Sequence, residues 1–249
     1  MPTTTPMPTA TGFDADWALA IMEAAHAGEP TPSGEGLRER KKRQLRQRIS
    51  DVATALFLSE GFEAVSVARI AARADVSEQT VFNHFPTKES MLFDRADDTW
   101  RTISDAVRDR SRGTLAELVQ PGLLGQMWPY RWHGVAARDG LLLLRRFAEV
   151  ADGSPTLQQT PYLAMAPFMD HVTAALAERN GTTADDPEVQ LVATMLAGLL
   201  LLRRRSFQHH VRGARSLDAL GRAVERDIQR ALRLARPTFD AFDRARRGR

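Results

Sequence analysis

The residue types most suited to chemistry lie in one short segment, from Glu78 to His84. Gln79 and Asn83 carry amides that can pair bidentately with adenine in the major groove, and Thr80 offers a hydroxyl and a methyl group for thymine. His84 can reach a base or a phosphate. The segment therefore predicts an element that reads bases in duplex DNA.

Basic residues flank this segment on both sides. Residues 37–48 contain seven bases and one acid, and we expect them along the phosphate backbone or in the adjacent minor groove. Lys88 lies at the start of the next predicted helix, where the helix N-terminus itself attracts phosphate. The predicted DNA-contacting residues are Arg43, Arg46, Arg48, Ser66, Ser77, Glu78, Gln79, Thr80, Phe82, Asn83, His84 and Lys88.

Three helices are needed to position these side chains. Apolar residues recur at helical spacing up to Gly61, a natural helix end. Ser66 is placed to cap a short helix over residues 67–74, and Ser77 is placed to cap a second over residues 78–84. Two short helices joined by a tight turn form a helix-turn-helix, whose second helix presents its N-terminal side chains to the major groove.

The same residues resemble the N-terminal domain of the TetR family of transcriptional regulators. The resemblance is carried by Gly61-Phe62, by residues 66–71 (SVARIA) and by residues 76–89 (VSEQTVFNHFPTKE), and it covers only this part of the 249 residues. It implies a three-helix DNA-binding domain joined through a fourth helix to a variable helical domain that dimerises and binds a small molecule. The function that it implies is a homodimeric repressor that binds a palindromic DNA operator and leaves it when an effector binds.

Two positions depart from the pattern of that family. The turn between the short helices usually carries Gly and here has Asp75, which tolerates left-handed backbone geometry better than most residues. The usual tyrosine, whose hydroxyl meets a phosphate, is Phe82, so only van der Waals contact with the backbone carries over. Glu78 is also unusual beside a polyanion. It either accepts from a cytosine amine or favours the helix N-terminus electrostatically.

Composition excludes several classes of protein. The 249 residues contain no cysteine, which excludes a disulfide framework, an iron–sulfur or zinc–thiolate site and a cysteine nucleophile. The longest apolar run, Leu191 to Leu202, is shorter than the roughly 20 residues that span a bilayer. No secretory signal is visible at the N-terminus. We therefore expect a cytoplasmic protein without a membrane partner.

The net charge of +3 conceals strong segregation along the chain. Residues 1–36 carry −5, residues 37–48 carry +6, residues 49–202 carry −7 and residues 203–249 carry +9. Dense basic runs are candidate contacts for polyanions or solvated faces. The first basic run directly precedes the helix-turn-helix, whereas the second has no assigned role.

Helical periodicity continues through the rest of the chain, and no segment alternates with the period of two that a strand requires. The sequence predicts an all-α protein, with further helices from Lys88 to about Arg112 and over residues 115–127, 133–151, 155–180, 187–211 and 216–235. The predicted divisions are a flexible N-terminal extension (1–36), the helix-turn-helix DNA-binding domain (37–86), a larger helical ligand-binding and dimerisation domain (87–236) and a basic C-terminal tail (237–249).

The extension contains a proline-free stretch that leaves two alternatives open. Five of the 13 prolines lie in the first 32 residues, which is typical of a mobile segment. Between them, Trp17, Ile21 and Ala25 repeat at helical spacing. This stretch is either a short docked helix or a frayed tail with transient helicity.

The helix predicted over residues 187–211 is apolar around nearly its whole circumference, so that one protomer's core would cover only part of it. With the helix over residues 216–235 it would form a symmetric four-helix dimer interface. The alternative is a single buried core helix in a monomer. The predicted dimer residues are Val192, Met195, Leu199, Leu202, Leu220, Val224 and Ile228.

Aromatic and methionine residues are concentrated between residues 127 and 169, in the middle of this larger domain, and Trp100 lies earlier in it. Such residues are either plain core or, taken together, the lining of a pocket for an apolar effector. The predicted ligand-binding residues are Trp100, Met127, Trp128, Tyr130, Trp132, Phe147, Tyr162, Met165, Phe168 and Met169.

No catalytic site, metal site or cofactor is predicted. The histidines lack a spacing with Asp or Glu that would hold a metal, and Asp185 and Asp186 precede a helix start as capping groups. The leading hypothesis is therefore a ligand-responsive, dimeric transcriptional repressor. The alternatives are an activator of the same fold, an architectural protein that binds DNA without reading bases, and a helical enzyme or scaffold with a vestigial N-terminal domain.

Overall fold

The computed structural model describes residues 13–26, 36–93, 96–108, 113–124, 136–163 and 165–245. Within these ranges the chain forms helices and turns and no strand, as the all-α prediction requires. The helices are α1 (Ala15–His26), α2 (Leu37–Glu60), α3 (Val67–Ala74), α4 (Glu78–His84), α5 (Lys88–Leu92), α6 (Ala96–Arg108), α7 (Leu115–Leu124), α8 (Ala137–Gly153), α9 (Pro155–Leu163), α10 (Met165–Asn180), α11 (Pro187–Val211) and α12 (Leu217–Ala245).

The chain divides into two compact units. The first comprises residues 1–94 and 130–158, and the second comprises residues 95–129 and 159–249. The predicted domain of residues 87–236 is therefore not one packing unit. Helix α8 belongs to the first unit because it packs on α1 and α2.

The core of the first unit forms around the C-terminal half of α2. Residues 49–58 of that helix are buried, whereas residues 37–44 are exposed. Phe57 packs on Phe62 with ring centroids 4.9 Å apart, and Val81 and Phe85 from the α4 region are completely buried. Burial of these large side chains fixes α4 against α2, at about 1.5–3 kcal/mol for each side chain removed from water.

Helix α1 packs on α2 and α8, so the docked-helix alternative describes residues 15–26. Trp17, Ile21 and Ala25, whose spacing suggested it, are buried. Asp16 pairs with Arg73 of α3. Helix α1 is therefore an integral part of the first unit, and the prediction of a flexible extension does not apply to it. Residues 1–12 and 27–35 lie outside the described residues.

One predicted long helix is divided in the structure. The helix expected from residue 88 to about 112 consists of α5 and of α6, which begins at Ala96. Phe93, which follows the last residue of α5, has φ −110° and ψ 25° and leaves helical geometry. Apolar spacing alone does not show such an interruption. Helices α9 and α10 cover the helix expected over residues 155–180 except for residue 164, which lies outside the described residues.

The second unit is tied together by a buried ion pair. Arg179 of α10 donates through Nε to Asp243 of α12, at 3.0 Å, and its other nitrogens donate to the carbonyls of Val107 and Gly113. Asp243 in turn accepts from the backbone N–H of Leu115, at the start of α7. The pair therefore connects four parts of the second unit, and the two charges compensate each other away from water.

The predicted basic tail is largely helical, which corrects the division at residue 237. Helix α12 continues to Ala245 although it contains Pro237. Phe239 and Phe242 are buried, and they hold the last turns against the rest of the unit. Residues 246–249 lie outside the described residues.

The assignment to the dimer interface is wrong for five of the seven predicted residues. Their side chains are at most 6% exposed within the single chain, so they form the protomer's own core and are not available to a second copy. These residues are Val192, Leu199, Leu220, Val224 and Ile228. Met195 is half-buried and Leu202 is exposed, so these two remain accessible.

Candidate nucleic-acid interface

The two short helices begin at the serines that the sequence singled out. The Ser66 hydroxyl accepts from the N–H of Arg69 at 3.2 Å, and the Ser77 hydroxyl accepts from the N–H of Thr80 at 3.1 Å. Each bond satisfies a backbone donor that the first helical turn leaves unpaired. Ser77 also lies 2.8 Å from the Thr80 hydroxyl. Both serines are exposed, but their first role is to begin α3 and α4.

The turn between α3 and α4 depends on the left-handed backbone of Asp75. Its φ of 58° and ψ of 48° lie in the left-handed helical region, and no other non-glycine among the described residues has a positive φ. The N–H of Asp75 donates to the Ala72 carbonyl at 3.3 Å, and the N–H of Val76 donates to the Ala71 carbonyl at 3.0 Å. Asp75 thus takes the geometry that glycine supplies at lower cost.

The outer face of α4 carries the predicted base-reading amides. Gln79 and Asn83 are both exposed, and Gln79 Nε2 donates to Asn83 Oδ1 at 3.0 Å. Glu78 and Phe82 are also exposed, Phe82 to 46%, and Thr80 is half-buried. The predicted readers therefore lie on one side of a capped helix, where the bond between the two amides orients them before any ligand binds.

Arg46 of α2 contacts the C-terminal end of α4. Its guanidinium donates to the His84 carbonyl at the end of α4 and lies 4.2 Å from the centroid of the Phe85 ring. A guanidinium at this end also complements the negative pole of the helix dipole. Arg46 was predicted to contact phosphate, but its bond to the His84 carbonyl gives it a structural role.

His84 lies half-buried next to these cations. Burial, followed by the positive charges of Arg46 and Lys42, lowers the pKa of His84 from its ordinary value of 6.5. Its imidazole is therefore mostly neutral at pH 7 in the free protein and is able both to donate and to accept.

Lys88 faces the protein, which corrects its assignment as a phosphate contact. Its Nζ donates to the carbonyls of Phe62 and Val65, at 2.9 and 3.2 Å, and lies 4.2 Å from the centroid of the Phe62 ring. The ammonium therefore satisfies two carbonyls in the connection between α2 and α3. Only the folded chain brings these carbonyls to Lys88, so its sequence neighbours gave no sign of this role.

The N-terminal part of α2 presents the first basic run. Arg43 and Arg48 are exposed, as are the other bases before residue 44. Residues 37–48 extend for about 18 Å along the helix. This surface places a row of cations on the same unit as α4, although Arg46 within it is directed to the protein.

Sequence reasoning missed two contacts that position the α4 region. Thr87 and Ser90 form a reciprocal capping box at the start of α5, for which the Thr-x-x-Ser spacing was a faint signal. The Ser50 hydroxyl donates to the Met91 carbonyl at 3.0 Å and holds α5 on α2. Ser50 had no signal, because a serine on the buried side of α2 is indistinguishable in sequence from an exposed one.

The predicted effector-binding residues are divided between the two units, and several of them lie outside the described residues. Phe147 of the first unit packs edge-to-face on Phe93, with centroids 6.3 Å apart. In the second unit Phe168 is buried, and Met165 and Met169 are half-buried. The side chains of Trp100 and Tyr162, and the whole of Met127, Trp128, Tyr130 and Trp132, lie outside the described residues. Their grouping into one pocket stays a prediction.

A Ser–Asp–His cluster in the second unit lacks the order of a catalytic triad. Asp227 Oδ2 accepts from Ser206 Oγ at 2.6 Å and lies 2.9 Å from His210 Nε2. These two hydrogen bonds lower the pKa of Asp227. In a triad the histidine stands between serine and aspartate and removes the serine proton, whereas here the aspartate stands between them.

The described side chains offer neither a metal site nor a membrane-spanning helix. They contain no group of three or more His, Asp or Glu that could hold a metal ion. In the described parts of the chain, no helix combines the length and the apolar character that crossing a bilayer requires.

Known proteins match this chain in two regions. The family model for bacterial regulatory proteins of the tetR family matches residues 49–94, and the model for the MftR C-terminal domain matches residues 135–230. The HTH-type transcriptional regulator TcmR of Streptomyces glaucescens is 39% identical over 74 residues, which are 28% of this chain and 33% of TcmR. The HTH-type transcriptional repressor KstR of Mycobacterium tuberculosis is 36% identical over 92 residues, which are 37% of this chain and 39% of KstR.

The chain thus spans less than two fifths of the length of either curated relative. A solved structure of a TetR-family transcriptional regulator from Mesorhizobium loti has a TM-score of 0.42 and 22% identity, over 80% of this chain and 98% of that one. The two matching family models together cover more than half of the 249 residues. On the two matching family models and on its capped helix-turn-helix, the chain belongs to the TetR family of bacterial regulatory proteins.

Proposed function

We propose that this protein is a homodimeric transcriptional repressor that binds a palindromic DNA operator through α4 and leaves it when a small apolar effector binds. The observation that carries the proposal is the exposed, mutually bonded pair of amides, Gln79 and Asn83, on a helix capped by Ser77 and clamped by Arg46. TcmR and KstR, each of which is similar to part of this chain, are named as a transcriptional regulator and a repressor.

Base reading would exchange the bond between the two amides for bonds to DNA. Gln79 and Asn83 lie one helical turn apart on the same side of α4, so each amide faces the same groove. An amide paired bidentately with adenine contributes about 1–3 kcal/mol of discrimination. Release of one exposed hydrogen bond costs less than this, since about 1 kcal/mol is typical.

Phosphate contacts would come from the exposed bases of α2, among them Arg43 and Arg48. Phe82, 46% exposed, would add van der Waals contact with the sugar-phosphate backbone. Arg46 and Lys88 would contribute indirectly, because they hold the ends of α4 and of the α2–α3 connection in place.

Dimerisation would use the exposed stripe of α11 in place of the buried residues predicted from sequence. Leu191 is 55% exposed and Leu202 is 36% exposed, and both lie on the same side of the helix as Met195 and Gly198. A Cβ built on Gly198 meets nothing within 4 Å, so the stripe is open at its centre. A two-fold dimer would place two copies of α4 at half-sites about 34–36 Å apart.

The effector would act by a shift in populations. A ligand that binds more tightly to the dimer with its two α4 helices at the wrong separation weakens operator binding by the ratio of its affinities for the two states. An apolar effector follows from the aromatic and methionine residues predicted to line the pocket. The cytoplasm is the location in which such a regulator would meet both chromosomal DNA and its effector.

The test begins with selection of bound fragments from genomic DNA, which gives the operator. On that operator, Gln79→Ala and Asn83→Ala should each lose about 1–3 kcal/mol of binding free energy, while binding to random duplex DNA stays nearly unchanged. Gln159→Ala, which removes an exposed amide of the second unit, is the matched control and should change neither. Equal losses on operator and random DNA would contradict base reading and favour the architectural alternative.

A further inference from the structure

The exposed side of α12 carries four arginines in one row. Arg222, Arg226, Arg230 and Arg233 are all exposed, and their spacing of four, four and three residues places them on one side of the helix. The row, which we call the α12 ridge, extends for about 16 Å along the helix axis. It accounts for four of the bases in the second basic run of the sequence.

Among the described residues, no ion pair joins these four arginines to a carboxylate, and most acids of α12 bond to other side chains. Four of the five carboxylates of this helix bond to other side chains, and the fifth, Asp218, lies in the first turn. The four pairs are Glu225 with Gln229, Asp227 with Ser206 and His210, Asp240 with Arg236, and Asp243 with Arg179. A row of exposed arginines that form no ion pair is a candidate contact for a polyanion.

The chemistry of the ridge fits a phosphodiester backbone. A guanidinium presents a planar pair of donors that matches two phosphate oxygens, and a helical row of four presents them to a linear array of phosphates. The apolar side of α12, including Leu220, Val224 and Ile228, is buried in the protomer, so no apolar face remains to insert into a membrane. Leu234 is the one large apolar side chain exposed on the described α12, fewer than a protein-binding hot spot requires.

We propose that the α12 ridge is a second nucleic-acid contact, which binds the phosphate backbone of duplex DNA without reading its sequence. It lies in the second unit and goes beyond operator recognition by α4. The ridge also gives a role to part of the +9 of residues 203–249, since its four guanidinium groups are among the 14 bases of that segment.

The first experiment measures the salt dependence of binding to a random duplex by fluorescence anisotropy. Replacement of all four ridge arginines by Gln should make the slope of log K against log salt shallower by roughly 3–4, and should weaken binding at low salt at least tenfold. Replacement by Lys should keep most of the slope, because counterion release needs only the charge. Circular dichroism and the mass of the assembly verify that each variant is folded and assembled as the native protein.

The matched control removes the same charge from exposed arginines outside the ridge. These are Arg101, Arg138, Arg212 and Arg215, each replaced by Gln. The control variant should keep the native slope. A native slope in the ridge variant, or an equal loss in the control, would overturn the proposal, because net charge alone would then explain the binding.

A second experiment separates the ridge from the helix-turn-helix. In a full-length background with all six exposed bases of α2 replaced by Gln, the remaining binding to random duplex should depend on the ridge; these bases are Arg38, Arg40, Lys41, Lys42, Arg43 and Arg48. Anionic vesicles and polyglutamate are the competing probes. Ridge-dependent binding to either of these, without ridge-dependent binding to DNA, overturns the proposal. Failure of operator recognition would appear separately, as an absence of selected fragments.

Discussion

At the scale of single residues, two cations show how fold decides the chemistry of a charge. Arg46 and Lys88 belong to the residue types that bind phosphate, yet the first donates to the His84 carbonyl and the second to the carbonyls of Phe62 and Val65. An unpaired buried carbonyl costs about 1–3 kcal/mol, which is comparable to the gain from one surface phosphate contact. These two side chains therefore stabilise α4 and the connection between α2 and α3. The other basic side chains remain available to bind DNA.

Asp75 gives a prediction at the same scale. Alanine in its left-handed conformation should lower the free energy of unfolding by about 1 kcal/mol, because a Cβ without a local polar partner is disfavoured there. Glycine should restore or exceed native stability within that margin, since it removes the steric cost but gains entropy in the unfolded chain. Urea unfolding of the two variants measures the difference, and an Asp75→Ala variant as stable as Asp75→Gly would contradict it.

At the scale of helices, close approach between α6 and α7 depends on Gly122. A Cβ built on Gly122 would lie 2.5 Å from Ile103 Cγ1, and Ile103 is completely buried. The carbonyl of the same glycine accepts from Arg203 of α11 at 3.3 Å. Burial lowers the pKa of Arg203 to about 10, so that it still carries its charge at neutral pH. This glycine is therefore a packing point for three helices.

Gly122→Ala should consequently cost about 1–3 kcal/mol of stability through overpacking. Ile103→Ala alone should cost about 2–5 kcal/mol, and the double variant should cost less than the sum, because the new methyl group enters the space that Ile103 leaves. Gly153→Ala is the control, since a Cβ there meets nothing within 4 Å. Thermal unfolding of the four variants checks this, and strict additivity of the pair would contradict direct contact.

At the scale of the whole molecule, the apolar residues of α11 lie on two faces, one buried in the protomer and one exposed. Val192 and Leu199 fill the protomer's own core, while Leu191 and Leu202 remain exposed. Exposed leucines on one stripe of a helix mark a surface that association would cover. The same helix therefore supplies a core face and the proposed dimer face, which explains why it is apolar around nearly its whole circumference.

The dimer proposal predicts a change in mass. Met195→Glu with Leu202→Glu should convert a species of twice 27.7 kDa into one of 27.7 kDa, and should weaken operator binding because the two half-sites are no longer held together. Light scattering during gel filtration measures the mass. Leu37→Glu, at a 59% exposed leucine of the first unit, is the control and should leave the mass unchanged. A native mass in the double variant would place the interface elsewhere.

The sequence alone determined the helix-turn-helix. Ser66 and Ser77 act on neighbours within three residues, and local caps of this kind, together with the spacing of apolar residues, are visible without a fold. The same local logic placed Gln79 and Asn83 on one exposed side of α4.

Only the tertiary structure decided which side chains were already used. Val192 and Leu199 looked available until the packing of α11 on α12 buried them, and Lys88 looked available until the folded chain brought two carbonyls to its ammonium group. The four ridge arginines stand out for the complementary reason, because no ion pair joins them to a carboxylate in the part of the chain that the structure describes. Competition between partners distant in sequence is a property of the folded chain, and no local pattern records it.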